Sequence, residues 1–376
     1  MAAHAATPSP ELQLQDALQA AMSRQSKKSE PIGYSASAWL AALPSIDVTL
    51  LRSEDSNGTD ETEVGLNLPL KSPYLHQQDK RLTALNGRLV ETDRQRRQLY
   101  YSGLIREAIW SARLARERSD QASKKISLLE QLADREQTLV ATRNSTQYGL
   151  LLIQQELIDA RLTHLDQQAE QQRWLQVFRE LTGMAHLPTA LTEASLPGNT
   201  DWRTHPALQL LDLNWQQQQA LIAAASSRAT PWNLRIGATE VATPGFDETQ
   251  YGITVELPLS FSNSIDEASR STWQEGVRSY DRDREQLITS LAQTWQQLTQ
   301  EAMYLRERQS LLDQSALVSA KVREQANKLQ ELNELGREMW INRLIADLDR
   351  QSQSEINRLL IGQNNAMRRQ AAGISL

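Results

Sequence analysis

The sequence predicts a mainly α-helical fold carrying two β-hairpins, built from one structural unit given twice. Three observations carry that expectation. Gly58 to Leu70 reads Gly-Thr-Asp-Glu-Thr-Glu-Val-Gly-Leu-Asn-Leu-Pro-Leu, and it returns as Gly245 to Leu259, Gly-Phe-Asp-Glu-Thr-Gln-Tyr-Gly-Ile-Thr-Val-Glu-Leu-Pro-Leu. Each copy alternates apolar and polar residues, the period of a strand with one covered face. After each copy the pattern turns helical and stays so for some 60 to 70 residues, far longer than an ordinary globular helix. An internal repeat of this length divides the chain into residues 1–188 and 189–376.

In the first unit a short helix is expected over about 11–29, with Leu14, Ala17, Leu18 and Ala21 on one face and Pro31, Gly33 and Ser35 ending it. A hairpin over about 45–70 follows. Ile46, Val48 and Leu50 alternate with Asp47 and Thr49; after a turn at Asp55 to Gly58, Thr62, Val64, Leu66 and Leu68 alternate with Glu61, Glu63, Gly65 and Asn67. Each strand approaches the ~9–11 residues that cross an outer membrane when tilted. A long helix over about 73–144 would extend roughly 100 Å if unbroken. Ile126, Leu129 and Ala133 mark part of its seam. The break near Asn144-Ser145 precedes a second helix over about 149–181, where Ile158, Leu162, Leu165 and Ala169 have coiled-coil spacing.

Thr182 to Asn199, with Pro188, Pro197 and Gly198, reads as the join between units. The order then repeats: a helix over about 206–226, a hairpin over about 232–259, and long helices over about 264–335 and 337–369. In the hairpin Leu234, Ile236 and Ala238 alternate with Arg235, Gly237 and Thr239; Tyr251, Ile253, Val255 and Leu257 alternate with Gln250, Gly252, Thr254 and Glu256. Leu311, Ser315, Val318, Val322, Leu329 and Leu332 hold an a/d-like register. Gly149 and Gly336 are separated by the same offset as Gly58 and Gly245, so even the interruptions are duplicated.

Composition narrows the function. Mean hydropathy is −0.54, and Gln, Arg, Leu, Ala and Glu dominate, the vocabulary of long helices with a narrow apolar seam. A net charge of −6 argues against a nucleic-acid surface. The absence of cysteine excludes disulfides and thiol chemistry and suits an exported location. Ala3-His4-Ala5 reads as the small-x-small end of a signal peptide, so the expectation is an exported chain whose signal peptide is absent or truncated here, against a plain flexible start. No apolar run approaches the ~18 residues of a membrane helix, so any membrane contact must be made by a barrel of strands. His4, His76, His164, His186 and His205 are scattered, and no nucleophile elbow, phosphate loop or dinucleotide fingerprint is present. The expectation is a protein that is not an enzyme and takes no cofactor and no metal.

A lone hairpin is marginal in water, with open edges and an uncovered apolar face. A closed barrel pooled from several chains removes all three problems. At this point the sequence resembles the TolC-type outer-membrane efflux channel family, the outer membrane factors. The resemblance rests on the duplicated helix–hairpin–long-helix order and on the run from His205-Pro206 through a helix to Pro231 and the strand Asn233 to Ala238. It rests also on the strand-ending Leu68-Pro69-Leu70 and Leu257-Pro258-Leu259, and on a glycine followed by a polar residue six places on and an apolar one eight places on: Gly149, Gln155, Leu157 and Gly336, Asn342, Leu344. The His-Pro opening and the Leu-Pro-Leu ends look somewhat like the heavy-metal-resistance branch.

What the resemblance implies is a homotrimer whose twelve-stranded outer-membrane β-barrel continues as a twelve-helix periplasmic α-barrel. The function implied is the exit duct of a tripartite efflux or type I secretion system. It would work with a periplasmic adaptor (membrane fusion protein) and an inner-membrane pump of RND or ABC type. The apolar strand positions would face outer-membrane lipid, and Asp47, Glu61, Glu63, Asn67, Arg235, Thr254 and Glu256 a water-filled lumen. Pro69 and Pro258 would turn strand into helix. Trp39, Tyr74, Trp232 and Tyr251 would be interfacial girdle residues or core anchors. Gly149, Leu150, Gln155, Gly336, Arg337, Asn342 and Leu344 would form the tunnel tip where an adaptor docks. One departure stands out: where well-known members place carboxylates six and nine residues after the second-unit glycine, this chain has Asn342 and Ile345, leaving Asp347 as the candidate polar residue of the entrance. The rival reading is a soluble periplasmic coiled-coil scaffold or pump adaptor, which the duplication disfavours.

Overall fold

The computed structural model describes residues 13–25, 37–142, 147–189, 191, 193–196, 201–259, 264–331 and 337–376. The expected N-terminal processing signal, the breakers at 31–35, Gly336 and Leu332 lie outside them. In chain order the elements are α1 (Leu14–Gln25), β1 (Ser45–Leu51), β2 (Asp60–Leu70), α2 (Pro73–Ala141), α3 (Gln147–Thr182), α4 (Pro206–Ala224), β3 (Trp232–Thr243), β4 (Phe246–Glu256), α5 (Glu267–Glu331) and α6 (Arg337–Ala371). The repeat is therefore visible as helix, hairpin, long helix, helix, given twice. The two compact units of the chain are not the two repeats. One comprises Met1–Ser29, Gln95–Pro206 and Ile288–Leu376; the other comprises Glu30–Arg94 and Ala207–Leu287. Each draws on both repeats.

The second of these units holds the strands. All four join one antiparallel sheet in the order β1-β2-β3-β4, so the hairpins pair with each other through β2 and β3, from Asp60 opposite Ala242 to Leu70 opposite Trp232. The β3–β4 turn is Pro244-Gly245. Proline sets φ for the first turn position, and Gly245 takes φ +96°, a value closed to most side chains. Beside the sheet, Leu85 of α2 packs with Leu213 and Ala220 of α4. Trp215 of α4 stacks on Tyr280 of α5, ring centroids 5.5 Å apart. The strand-to-helix turn falls at Ser72-Pro73 rather than at Pro69. The Leu75 amide donates to Ser72 Oγ at 3.3 Å, and Pro73 opens α2, where a missing N–H costs nothing.

The other unit is helical. Ala17, Leu18 and Ala21 of α1, Ile105, Ala108, Ile109 and Trp110 of α2, Phe178 of α3 and Ala366 of α6 form its main core with Leu191 of the join. Burying each large side chain contributes roughly 1.5–3 kcal/mol. A Cβ on Gly362 of α6 would lie 2.4 Å from the Trp110 ring. Gly362→Ala is expected to cost about 1–3 kcal/mol by overpacking, read as a lower urea midpoint with a shifted tryptophan emission; an unchanged midpoint would mean the ring moves freely. α6 ends in a Schellman cap: Gly373, at φ +79°, donates to Gln370 O at 3.1 Å, and Ile374 to Arg369 O at 3.0 Å.

The seam between α5 and α6 is partly polar. Buried Asn357 donates to Leu305 O and Gln309 Oε1, both at 2.9 Å; seven residues on, Asn364 donates to Leu298 O and Glu301 Oε2 at 3.0 Å; seven residues back, Arg350 donates to Ser319 Oγ at 2.8 Å. Buried amides at heptad steps fix register, because a slip leaves them unpaired. The apolar seams differ from those the spacing suggests. On α3 the stripe Ile158, Leu162 and Leu165 is exposed, at 58%, 54% and 62%, while Ile153 and Ala160 are buried. On α5, Leu311, Val318 and Val322 are exposed, while Leu305 and Ala302 are buried. Both helices carry two apolar stripes, and among the described residues only one of each is covered.

Candidate functional site

The sheet presents two unlike faces. Cross-strand pairing puts Ile46, Leu66, Ile236 and Ile253 in one row and Val48, Val64, Ala238 and Tyr251 in the next. Most of these side chains are exposed: Ile46 and Ile253 are each 72% exposed and Tyr251 85%. Period-two alternation sends the intervening residues to the other face. There Asp47, Gly65, Gly237 and Gly252 form a row across all four strands.

That glycine row makes room for a charge network. Arg235 of β3 lies opposite Asn67 of β2, yet its guanidinium crosses β2 to pair with Asp47 of β1. A second nitrogen donates to Glu63 Oε1 at 2.5 Å, and Asn67 Nδ2 donates to Asp47 Oδ1 at 2.6 Å. A Cβ at position 65 would lie 2.8 Å from Arg235 Nε and from both Asp47 carboxylate oxygens. The three charged side chains are about one-third exposed, so solvent screens them and the pairs add little stability. Their effect is to fix where charge sits on a wet face. Of the other acidic residues expected on that face, Glu256 accepts from Asn233 Nδ2 at 3.1 Å, and Glu61 lies opposite Leu51 and Val241, away from the network. Trp39 is exposed, and Tyr74 has the Arg228 guanidinium 5.3 Å from its ring centre. Pro69 lies within β2, its carbonyl accepting from the Ala41 amide at 2.8 Å, whereas Pro258 follows the end of β4.

The helical unit holds the residues expected at a tip. Gly149 and Leu150 are buried in the first turn of α3, so Gly149 lies inside the helix rather than in the break before it. Gln155 and Asn342 are exposed, whereas Leu157, Leu344 and Ile345 pack against Leu129, Leu132 and Ile153. The duplicated spacing thus has a physical reading: positions six and eight after the glycine are about 200° apart around a helix, one outward and one inward. Gly336 is outside the described residues, Arg337 opens α6, and Asp347, one turn beyond Leu344, is buried at 8% exposure.

Sequence reasoning missed the ion bridge beside them. Lys125 Nζ of α2 lies 3.1 Å from Glu156 Oε2 of α3 and 3.4 Å from Asp349 Oδ1 of α6. Burial alone would push the Lys125 pKa down, but the two carboxylates outweigh it and raise it. No short-range pattern announces three charges so far apart in the chain. Among the described residues no group of His, Asp and Glu is placed to hold a metal ion, and no helix is long and apolar enough to cross a membrane.

No family model matches this sequence, and no curated protein matches it by sequence. Solved structures do match. CusC, described for folding and transmembrane channel formation, shares 13% identity at a TM-score of 0.63, over 89% of this chain and 83% of its own. The outer-membrane channel OprN shares 14% identity at 0.62, over 96% and 86%. The outer membrane protein VceC of Vibrio cholerae shares 13% at 0.62, over 96% and 91%. At such identities the likeness is one of fold.

Proposed function

We propose, for a chain with the fold of TolC-type outer-membrane channels, that it is one protomer of an outer-membrane exit duct. The observation that carries this is the uncovered apolar face of the sheet, backed by a face bearing fixed charge. Exposed apolar area of this continuity marks a surface made for lipid or a partner. Three copies would close β1 and β4 edge to edge into a twelve-stranded barrel, satisfying ladder groups that a bilayer cannot. The apolar rows would then face outer-membrane lipid, and the Arg235–Asp47–Glu63 network the lumen.

The exposed stripes on α3 and α5 fit the same assembly, since helices that pack within one chain and against the next need two apolar stripes. They would build the periplasmic twelve-helix tunnel. Gln155 and Asn342 would meet a periplasmic adaptor, with Leu344 and Leu157 holding the helices beneath, and an inner-membrane pump of RND or ABC type would supply cargo. A duct need not bind what it passes; the likeness to the heavy-metal-resistance branch makes metal ions the first cargo to test.

The test is the mass of the purified protein in detergent. The expected species requires detergent and contains three chains of 42.5 kDa each. A monodisperse monomer or dimer, soluble without detergent, would instead put the scaffold reading first.

A further inference from the structure

The helical unit contains a cavity of about 400 Å³ between α2, α5, α6 and the join, and three arginines stand among its polar lining residues. Arg113 of α2, Arg306 of α5 and Arg368 of α6 all line it, with Asn365 beside them. The one carboxylate on the wall, Glu193, is already held by Arg106 and Arg369. Arg368 is only 5% exposed, and its Nε has no hydrogen-bond partner among the described residues. Its guanidinium lies 4.8 Å from the centre of the Trp295 ring, which orients the fork without neutralising it. Arg113 has one bond here, to the Thr189 carbonyl at 3.2 Å.

Among the described residues none of these three guanidiniums has a salt-bridge partner, and gathering like charge beside the buried Arg368 is costly. Burial and then the like charge of Arg306 push the Arg368 pKa down, and burial and then Arg116 do the same to Arg113. Guanidinium forks match the paired oxygens of phosphate and carboxylate and hold them by charge-assisted bonds.

We infer that this cavity is a binding site for an oxyanion, phosphate or carboxylate, carried by a small solute. The anion would take the free Arg368 nitrogen and the exposed Arg306 fork, with Arg113 closing the third side. The site lies within one compact unit and does not depend on what the assembled protein conducts.

Calorimetric titration of the purified full chain tests it, with inorganic phosphate and succinate as separate probes against chloride at matched ionic strength. The expected result is saturable binding of at least one probe, weakened about tenfold or more by Arg306→Gln. Arg306 is exposed, so that variant keeps the fold; Arg113→Gln is the second variant and is expected to weaken the same probe. Phosphate alone binding identifies a phosphorylated solute, and succinate alone a carboxylate one. No saturable heat with either probe overturns the inference, as does binding that both variants leave unchanged.

Discussion

Glu193→Ala is expected to destabilise the chain by about 3–5 kcal/mol, because it leaves a buried cation without its counter-charge. Arg106 is 1% exposed in its side chain and Glu193 9%. Two bonds join them, Nη2 to Oε2 at 2.5 Å and Nε to Oε1 at 3.0 Å, and Arg369 Nε reaches the same Oε2 at 3.1 Å. Arg106 Nη1 also donates to Gln370 Oε1 at 2.7 Å and to the Ile374 carbonyl at 2.9 Å. One guanidinium therefore ties α2 to the join and to the chain end, and Ser102 Oγ accepts from the Leu376 amide at 3.0 Å nearby. With Glu193 gone, those neutral oxygens remain but the charge is uncompensated. Removing both charges should cost less than removing one: Arg106→Met with Glu193→Leu is expected to recover much of the lost stability. Urea midpoints at one protein and detergent concentration check both statements. A single variant with an unchanged midpoint would show the pair to be idle, and a double variant as damaged as the sum would point to lost shape rather than lost charge.

How far the sequence announces these features depends on the distance over which each is decided. The strands are legible because alternation is local: the residues expected on the apolar face are those that pair in rows, Ile46 with Leu66 and Ile236 with Ile253. The pairing of the two hairpins into one sheet is not local, and the Arg235–Asp47 pair spans 188 residues. Gly65 is legible as the small member of the polar set, but its reason, the arginine passing over it, is not. The stripe Ile158–Leu162–Leu165 is as apolar and as regular as the stripe that α3 buries, so periodicity cannot say which one its own chain fills. The polar seam at Asn357 and Asn364 runs against the binary pattern altogether. Pro69 sits at the end of β2, as a residue without a ladder N–H should, and Ser72-Pro73 carries the local chemistry of the helix start that follows.

A second large contrast is expected between the two faces of β4. Ile253→Arg places a charge in the apolar row beside Ile236, and Gln250→Arg places the same charge on the opposite face, across from Thr239. Both positions are exposed in the single chain, so a soluble protein would tolerate the two alike. In a barrel they differ. An arginine facing the middle of the bilayer costs about 2–4 kcal/mol, whereas one in a watery lumen costs little. Membrane insertion of Ile253→Arg should therefore fall about thirtyfold or more relative to Gln250→Arg, read as the folded fraction recovered in lipid vesicles at one urea concentration. Equal insertion would remove the assignment of the apolar rows to lipid. The reverse order would mean that the charged face carrying Arg235 looks outward and the apolar face inward. Because the two substitutions introduce the same side chain three residues apart on one strand, any difference between them reports the surroundings of the face rather than the residue.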